Sequence, residues 1–213
     1  MKLQLALDGE LADSLALLQQ VHPYLDIAEI GTPLLYREGV GAVRQLRQRF
    51  PALPLLADLK IMDAGAEEAA IAFEAGADLV TVLAVAHDST IAGAVKAARR
   101  YGRQVLADMM QVPDMAARAW QLLALGCDYL CVHTAFDQQS THETPLAHLR
   151  ELRQQFPVGP LAAAGGIKLE TLDAVLALRP EIVVVGGAIT RAANPPQAAR
   201  AIYERIHADE NLR

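Results

Sequence analysis

The sequence has little cysteine, few aromatic residues and no excess of basic charge. Among its 213 residues are two Cys, aromatic residues make up 5%, and the formal net charge is −6 at pH 7. So low a cysteine count excludes a disulfide-rich fold and agrees with a reducing cytoplasm, where we expect this protein. Without a Lys/Arg cluster, the negative average charge argues against nucleic acid as a partner. A small anionic ligand remains compatible with it.

Long apolar runs are also missing, although hydrophobic residues reach 53%. No uninterrupted apolar segment has membrane-spanning length, so we expect no membrane partner. The N-terminal segment does not resemble a signal peptide, because Asp8 and Glu10 interrupt its short apolar part. This composition predicts a globular chain with a large core.

Strand-like and helix-like segments alternate along the chain eight times. Apolar runs such as "LPLLADLK" and "EIVVVGGAI" predict strands, and segments such as "GVGAVRQLRQRF" have helical spacing. Gly76, Gly102 and Gly126 stand where predicted helices end. Strict alternation predicts a parallel sheet, and eight regular units without a linker predict a single (β/α)₈ TIM barrel over residues 1–213. An open doubly wound sheet is the alternative.

Ionisable residues collect at the ends of the predicted strands, where barrel enzymes place their chemistry. They are Asp8, Glu29, Asp58, Lys60, Asp108 and His133. Asp58 and Lys60 are two residues apart, so a strand would place them on one face. Asp63 follows that strand. Helix capping is the alternative role for Asp8 and Asp63, and a structural ion pair is the alternative for Asp58 and Lys60.

Two glycine pairs end the last two predicted strands. Gly165 and Gly166 follow strand 7, and Gly186 and Gly187 follow strand 8. The loops after these two strands are the usual phosphate site of such barrels, and bare backbone N–H groups suit an anion. Phosphate binding is the preferred interpretation, and two tight turns are the alternative.

The stretch "ADLKIMDAG" carries a D-x-K-x-x-D motif. Further characteristic segments lie between residue 3 and residue 189. They are "LQLALD", "AEIGTPLL", "ADLVTVL", "DYLCVHTAFD", "AAAGGIKLETL" and "VVVGGAI". With these motifs the chain resembles the orotidine-5′-monophosphate decarboxylase superfamily. Within it, the chain is most similar to the 3-hexulose-6-phosphate synthase family.

The related 3-keto-L-gulonate-6-phosphate decarboxylases differ from the synthases at a few positions on the rim of the barrel, by which we mean the end where the carboxyl ends of the strands lie. Where those decarboxylases carry Glu, Arg and Thr, this chain has Asp108, Phe136 and Ala164, which match the synthase pattern. The decarboxylases also carry an Arg where this chain has Gly187. The resemblance therefore implies that backbone groups alone contact the phosphate on that side.

The resemblance implies a Mg²⁺ site, with Mn²⁺ as a possible substitute, at Glu29 and Asp58. Lys60 would stabilise the developing oxyanion. Asp63 would reach into the partner's site of a homodimer whose sites lie at the interface. His133 would be an acid/base group, with Asp108 beside it. Substrate contacts would come from Asp8, Ala164, Gly165, Gly166, Gly186 and Gly187.

These roles imply an aldol-type lyase. D-ribulose 5-phosphate would lose a C1 proton, with His133 as the first choice of base, and Asp108 would orient or assist it. The 1,2-enediolate, stabilised by Mg²⁺ and Lys60, would attack formaldehyde to give D-arabino-hex-3-ulose 6-phosphate. Two alternatives stay open: a 3-keto-L-gulonate-6-phosphate decarboxylase and a non-catalytic phosphosugar-binding barrel.

Overall fold

A closed, fully parallel barrel of eight strands forms the centre of the molecule in a computed structural model. The structure describes residues 1–141, 145–157 and 159–208, so the end of the predicted domain, 209–213, lies outside the described residues. The strands are β1 (Lys2–Leu7), β2 (Ile27–Ile30), β3 (Leu55–Ile61), β4 (Leu79–Leu83), β5 (Gln104–Asp108), β6 (Tyr129–His133), β7 (Leu161–Ala164) and β8 (Ile182–Val185). Each pairs with the next, and β1 pairs with β8, so the predicted (β/α)₈ barrel is confirmed and the open sheet is excluded.

Both faces of the barrel sheet are buried, as expected for parallel strands covered by helices. A small cluster fills the interior, with Leu56, Leu106, Ile182 and Val184 among its members. A larger cluster packs the outer face of the strands against the surrounding helices. Apolar side chains occupy most positions on both faces of the strands, so polar side chains concentrate at the strand ends.

The described part of the chain contains ten α-helices and two 3-10 helices, which cover the outside of the barrel. The α-helices are α1 (Leu11–Val21), α2 (Thr32–Glu38), α3 (Gly41–Arg49), α4 (Gly65–Ala75), α5 (Asp88–Tyr101), α6 (Met115–Leu125), α7 (Leu146–Gln155), α8 (Leu169–Leu176), α9 (Gly187–Thr190) and α10 (Pro195–His207). The 3-10 helices are His22–Tyr24 and Phe136–Thr141. No described helix is both long and apolar enough to cross a lipid bilayer.

Helix ends follow the sequence signals closely. Gly76, Gly102 and Gly126 end α4, α5 and α6 in the left-handed conformation, as predicted. The extent predicted for strand 8 is wrong, because β8 ends at Val185 and Gly187 begins the short helix α9. Helix α2 was also not predicted.

Candidate active site

The end of β3 departs from regular strand geometry. The pairing register between β3 and β4 shifts between Ala57 and Ile61, and Lys60 adopts a positive φ of 49°. The Lys60 backbone N–H donates to Thr81 Oγ1 at 2.8 Å, which holds this irregular turn against β4. The bulge leaves the Lys60 ammonium 2.7 Å from Asp58 Oδ2, so the predicted contact between these two residues is present.

Asp58 is buried and accepts hydrogen bonds on both of its carboxylate oxygens. Oδ2 lies 2.7 Å from Lys60 Nζ and 2.7 Å from Thr32 Oγ1, while Oδ1 accepts from Thr81 Oγ1 at 2.8 Å. These donors come from three successive units of the barrel, so they fix the carboxylate rigidly. The buried carboxylate therefore has hydrogen-bond donors on both oxygens, as a buried polar group requires.

Glu29 lies in β2 and is also buried. Its Oε2 accepts from Gln4 Nε2 at 2.6 Å, and Oε1 hydrogen-bonds none of the described residues. Burial, followed by the negative charge of Asp58, raises the pKa of Glu29 from its ordinary 4.5 to about 8. Two neighbouring carboxylates, one of them incompletely compensated, form an electrostatic environment that favours a cation.

Asp108 and His133 end the adjacent strands β5 and β6. His133 Nδ1 lies 2.7 Å from Asp108 Oδ2, and Lys60 Nζ lies 3.5 Å from the same oxygen. Burial alone would raise the pKa of Asp108, but the hydrogen bond from His133 and the charges of His133 and Lys60 lower it below its usual range. Asp108 is therefore an anion, and His133 donates its Nδ1 proton to it.

The same carboxylates set the charge of Lys60. Burial alone would lower the pKa of the ammonium, but Asp58 and Asp108 raise it well above its ordinary value. Lys60 is thus a permanent cation between two anions. It can stabilise a developing oxyanion, but it cannot serve as a base near neutral pH.

Neither Asp8 nor Asp63 caps a helix. Asp8 follows β1, and its carboxylate lies so close to Gly31 that a Cβ there would be 2.0 Å from Asp8 Oδ1. The residue preceding α4 is Ala64, without a side-chain cap, and Asp63 is exposed. The Asp63 carboxylate contacts no hydrogen-bonding partner within the described part of its own chain. It is therefore not assembled with the other rim residues.

The glycine pairs after β7 and β8 differ in geometry. Gly165 and Gly166 have positive φ values of 99° and 67°, and a Cβ at Gly165 would lie 2.2 Å from the Thr134 carbonyl oxygen. Only glycine fits at position 165, because the loop after β7 touches the loop after β6 at Thr134. Gly186 precedes α9 and Gly187 begins it.

Ala164, the remaining predicted contact, is the last residue of β7 and pairs in register with His133. It is buried in the barrel interior. Its side chain is a single methyl group, which occupies little space next to the imidazole. The position is therefore suited to contact whatever His133 acts on.

Three polar side chains of the site escaped the sequence analysis. They are Gln4, Thr32 and Thr81, which bind the carboxylates of Glu29 and Asp58. The signal for Gln4 and Thr81 was a polar residue inside an otherwise apolar strand. Thr32 carried no such signal, because it stands between Gly31 and Pro33, where a hydroxyl residue reads as ordinary turn sequence.

The donor set fits a hard divalent cation. No group of three or more His, Cys, Asp or Glu side chains arranged as a metal centre occurs among the described residues. Mg²⁺, however, needs only one or two carboxylates and completes its shell with water and substrate oxygens. Glu29 and Asp58 meet this requirement, and a cation there would offset their mutual repulsion.

A separate groove of about 970 Å³ lies beside the rim, lined by residues that include Val85, His87 and Gln111. It contains none of the strand-end carboxylates. The ionisable cluster at the carboxyl ends of the strands is therefore the better candidate for chemistry, since it combines a fixed cation, an oriented imidazole and paired acids.

Fold and rim together define a (β/α)₈-barrel protein with an enzyme-like active site at the carboxyl ends of its strands. Residues 1–202 match the orotidine 5′-phosphate decarboxylase / HUMPS family, and the chain belongs to that family. The predicted resemblance is thereby confirmed.

Individual relatives are similar over nearly the whole chain. The 3-hexulose-6-phosphate synthase of Bacillus subtilis is 44% identical over 207 residues, which cover 97% of this chain and 99% of the relative. The crystal structure of 3-hexulose-6-phosphate synthase from Salmonella typhimurium has a TM-score of 0.95 at 42% identity, covering 98% of this chain and 99% of that one. The crystal structure of 3-keto-L-gulonate-6-phosphate decarboxylase from Vibrio cholerae has a TM-score of 0.85 at 32% identity, covering 97% of both chains.

Proposed function

We propose that this protein is a 3-hexulose-6-phosphate synthase, which condenses formaldehyde with D-ribulose 5-phosphate to give D-arabino-hex-3-ulose 6-phosphate. The similarity to synthases of that name at 44% identity supports the reaction. The observation that carries the mechanism is the contact of His133 with Asp108 at 2.7 Å, with the Lys60 ammonium beside both.

His133 is the base in this proposal. Because Nδ1 donates to Asp108, the neutral imidazole has its lone pair on Nε2, which is the atom that accepts the C1 proton of the substrate. The C1–H bonding electrons form the C1–C2 double bond of the enediolate, and the carbonyl electrons move to the C2 oxygen. Lys60 stabilises that oxyanion as a fixed charge.

The second half of the reaction returns the proton. C1 of the enediolate attacks the formaldehyde carbon, a carbon–carbon bond forms, and the C2 carbonyl is restored. The formaldehyde oxygen becomes an alkoxide, and His133 Nε2 gives it the stored proton. No proton or electron is gained or lost overall, and Asp108 stays ionised while it orients the imidazole.

Glu29 and Asp58 would hold Mg²⁺, with Mn²⁺ as a possible substitute. When bound, the ion would supply Lewis-acid stabilisation of negative charge on the substrate oxygens. The Asp8 side chain at the same rim would bind substrate hydroxyl groups. The loops at Gly165, Gly166, Gly186 and Gly187 would receive the phosphate.

The proposed assembly is a cytoplasmic homodimer with its sites at the interface. Asp63 is exposed beside the rim, which suits a side chain that completes the site of a second copy. Tyr36, Met62 and Val85 are large exposed apolar side chains on three consecutive units at the carboxyl end of the barrel. Burial of such neighbouring side chains against a second copy would remove apolar surface from water. The free, buried thiols of Cys127 and Cys131 agree with a reducing compartment.

The proposed reaction is tested by incubating the purified protein with ribulose 5-phosphate, formaldehyde and Mg²⁺, with EDTA as a control. Metal-dependent loss of formaldehyde with a hexulose phosphate product is the expected result. Release of CO₂ from 3-keto-L-gulonate 6-phosphate without formaldehyde loss would instead favour the decarboxylase. Binding of the phosphosugar without either reaction would favour a non-catalytic barrel.

A substitution tests the role of His133 separately. His133→Asn should abolish exchange of the C1 proton with solvent while binding of ribulose 5-phosphate persists. The matched control is His148→Asn, since His148 is exposed on α7 and should tolerate the change with full exchange. Persistent exchange in His133→Asn would show that another group is the base.

A further inference from the structure

Arg191 folds back over the start of the short helix α9. Its backbone N–H donates to the carbonyl oxygen of Gly187 at 3.1 Å, which closes the turn. A Cβ placed on Gly187 would lie 2.2 Å from Nη2 of Arg191 and 2.6 Å from its Cζ. The guanidinium of Arg191 thus occupies the space that a side chain at position 187 would fill.

The guanidinium in that space has no acceptor among the described residues. Other arginines in this fold are anchored: Arg118 donates to Asp88 and to two backbone carbonyl groups, and Arg153 donates to backbone carbonyl groups. Arg191 is exposed, and its guanidinium forms no hydrogen bond or ion pair within the part of the chain that the structure describes. Five donors on a rigid plane are therefore available to an external anion.

The positive charge of Arg191 is directed toward the active-site rim. Burial raises the pKa of the Asp8 carboxyl group, and the charge of Arg191 is among those that oppose this rise. Gly186 and Gly187 follow β8, and Gly165 and Gly166 follow the neighbouring strand β7. The guanidinium therefore stands beside the loops where barrels of this kind bind phosphate.

We propose that Arg191 binds the phosphate group of the substrate, and that Gly187 is free of a side chain so that this guanidinium can reach the site. This inference rests on the proposed function, since it assumes a sugar phosphate substrate. Planar guanidinium donors match two phosphate oxygens at once. It differs from the expectation, stated above, that backbone groups alone serve the phosphate on the β8 side.

The first test is the steady-state kinetics of Arg191→Ala. The KM for ribulose 5-phosphate should rise about 10- to 100-fold, as expected for the loss of charge-assisted hydrogen bonds, while kcat changes little. The KM of Arg191→Lys should lie between those of the wild type and Arg191→Ala, because an ammonium keeps the charge but not the planar arrangement of donors. Arg200→Ala is the matched control, since Arg200 is an exposed arginine paired with Glu204 on α10, and it should leave both constants unchanged.

The second test moves the guanidinium to position 187. Gly187 has no positive φ, so its backbone accepts an L side chain once the Arg191 side chain is gone. The double variant Gly187→Arg with Arg191→Ala should recover at least part of the lost affinity. This recovery distinguishes a ligand-binding role from a structural one, because a purely structural loss would not be repaired from a different position.

Calorimetric binding of ribulose 5-phosphate and of inorganic phosphate separates this inference from the proposed function. If the wild type turns nothing over but binds both ligands in an Arg191-dependent manner, the phosphate site stands and the proposed reaction fails. If Arg191→Ala binds and turns over the phosphosugar as the wild type does, the inference is overturned. A fall in kcat at unchanged KM and unchanged ligand binding would overturn it equally.

Discussion

Lys60 adopts a left-handed backbone conformation that non-glycine residues seldom adopt. Its φ of 49° belongs to the bulge at the end of β3, where its N–H binds Thr81 and its ammonium meets Asp58. Strain of this kind persists only where the surrounding structure enforces it, and it is common at functional sites. Here the bulge directs the ammonium between Asp58 and Asp108.

This strain leads to a stability prediction. Lys60→Gly should be more stable than Lys60→Ala by about 1 kcal/mol, because glycine accepts positive φ and alanine does not. Both variants should lose synthase activity, since neither carries the ammonium. Chemical denaturation of the two proteins measures the difference. Equal stabilities, or a more stable alanine variant, would show that the bulge relaxes when the lysine is removed.

At the scale of single residues, the sequence identified the ionisable groups better than their supports. Asp58, Lys60, Asp108 and His133 could be predicted because charges at apolar strand ends are conspicuous. The neutral partner Gln4 was missed because one polar residue inside a strand has many ordinary explanations. The position of Arg191 over Gly187 depends on how α9 turns, which no local pattern encodes.

The loops after β6 and β7 are in close contact at Gly165. A Cβ there would lie 2.2 Å from the Thr134 carbonyl oxygen, and the φ of 99° disfavours any L side chain. Gly165→Ala should therefore push the β7 loop away from β6, destabilise the protein by about 1–3 kcal/mol and weaken phosphate binding. Thermal melts with and without ribulose 5-phosphate check both effects.

Gly166→Ala is the matched comparison for that variant. Gly166 has a positive φ of 67°, but a Cβ there would meet its nearest neighbour, Gln139, only at 3.7 Å. It carries the backbone strain without the collision, so its stability loss should be smaller than that of Gly165→Ala. A larger loss for Gly166→Ala would mean that the contact with Thr134 is unimportant.

At the scale of elements, hydrophobic periodicity and the glycines at helix ends predicted the eight strands and the main helices. Two short helices, α2 and α9, escaped this reasoning because each is too short to show a full amphipathic pattern. The apolar run "EIVVVGGAI" was assigned entirely to strand 8. Its second half leaves the sheet at Gly186, since β8 has already completed its pairing with β1 and β7.

For the whole molecule, the excess of carboxylates at the rim links stability to pH and to the proposed Mg²⁺. The pKa of Glu29 in the folded protein without metal is about 8, above its ordinary 4.5. The folded state therefore retains a proton that the unfolded state has lost. The contribution of Glu29 to stability is present in full below pH 4.5 and is lost as the pH rises through 8.

The proposed Mg²⁺ should offset this loss, because it would bind the ionised carboxylate. We expect the increase in Tm on adding Mg²⁺ to be larger at about pH 9 than at about pH 6.5. The difference between the two increases should be about 2–4 °C for each kcal/mol of unfolding free energy that Mg²⁺ binding restores. Glu29→Gln should remove most of the difference, since its amide does not titrate. A Mg²⁺ effect that is independent of pH in the wild type would contradict the assignment of Glu29 as a ligand.

The proposed homodimer predicts that two inactive variants restore each other. In Asp63→Ala the chain keeps its own His133, and in His133→Asn the chain keeps its own Asp63. If Asp63 serves the partner's site, each mixed dimer contains one intact site. Co-expression in equal amounts should therefore restore about a quarter of the wild-type sites, since about half of randomly paired dimers are mixed.

A second pair of variants controls for nonspecific rescue. Lys60→Ala and His133→Asn both alter residues that the fold assembles within one chain, 3.5 Å and 2.7 Å from the same Asp108 oxygen. Each site of their mixed dimer lacks one of the two groups, so co-expression should restore nothing. Recovery in this control would mean that the rescue is nonspecific, and no recovery with Asp63→Ala would confine Asp63 to its own subunit. Recovery with Asp63→Ala alone would make the dimer, rather than the single barrel, the smallest complete catalytic unit.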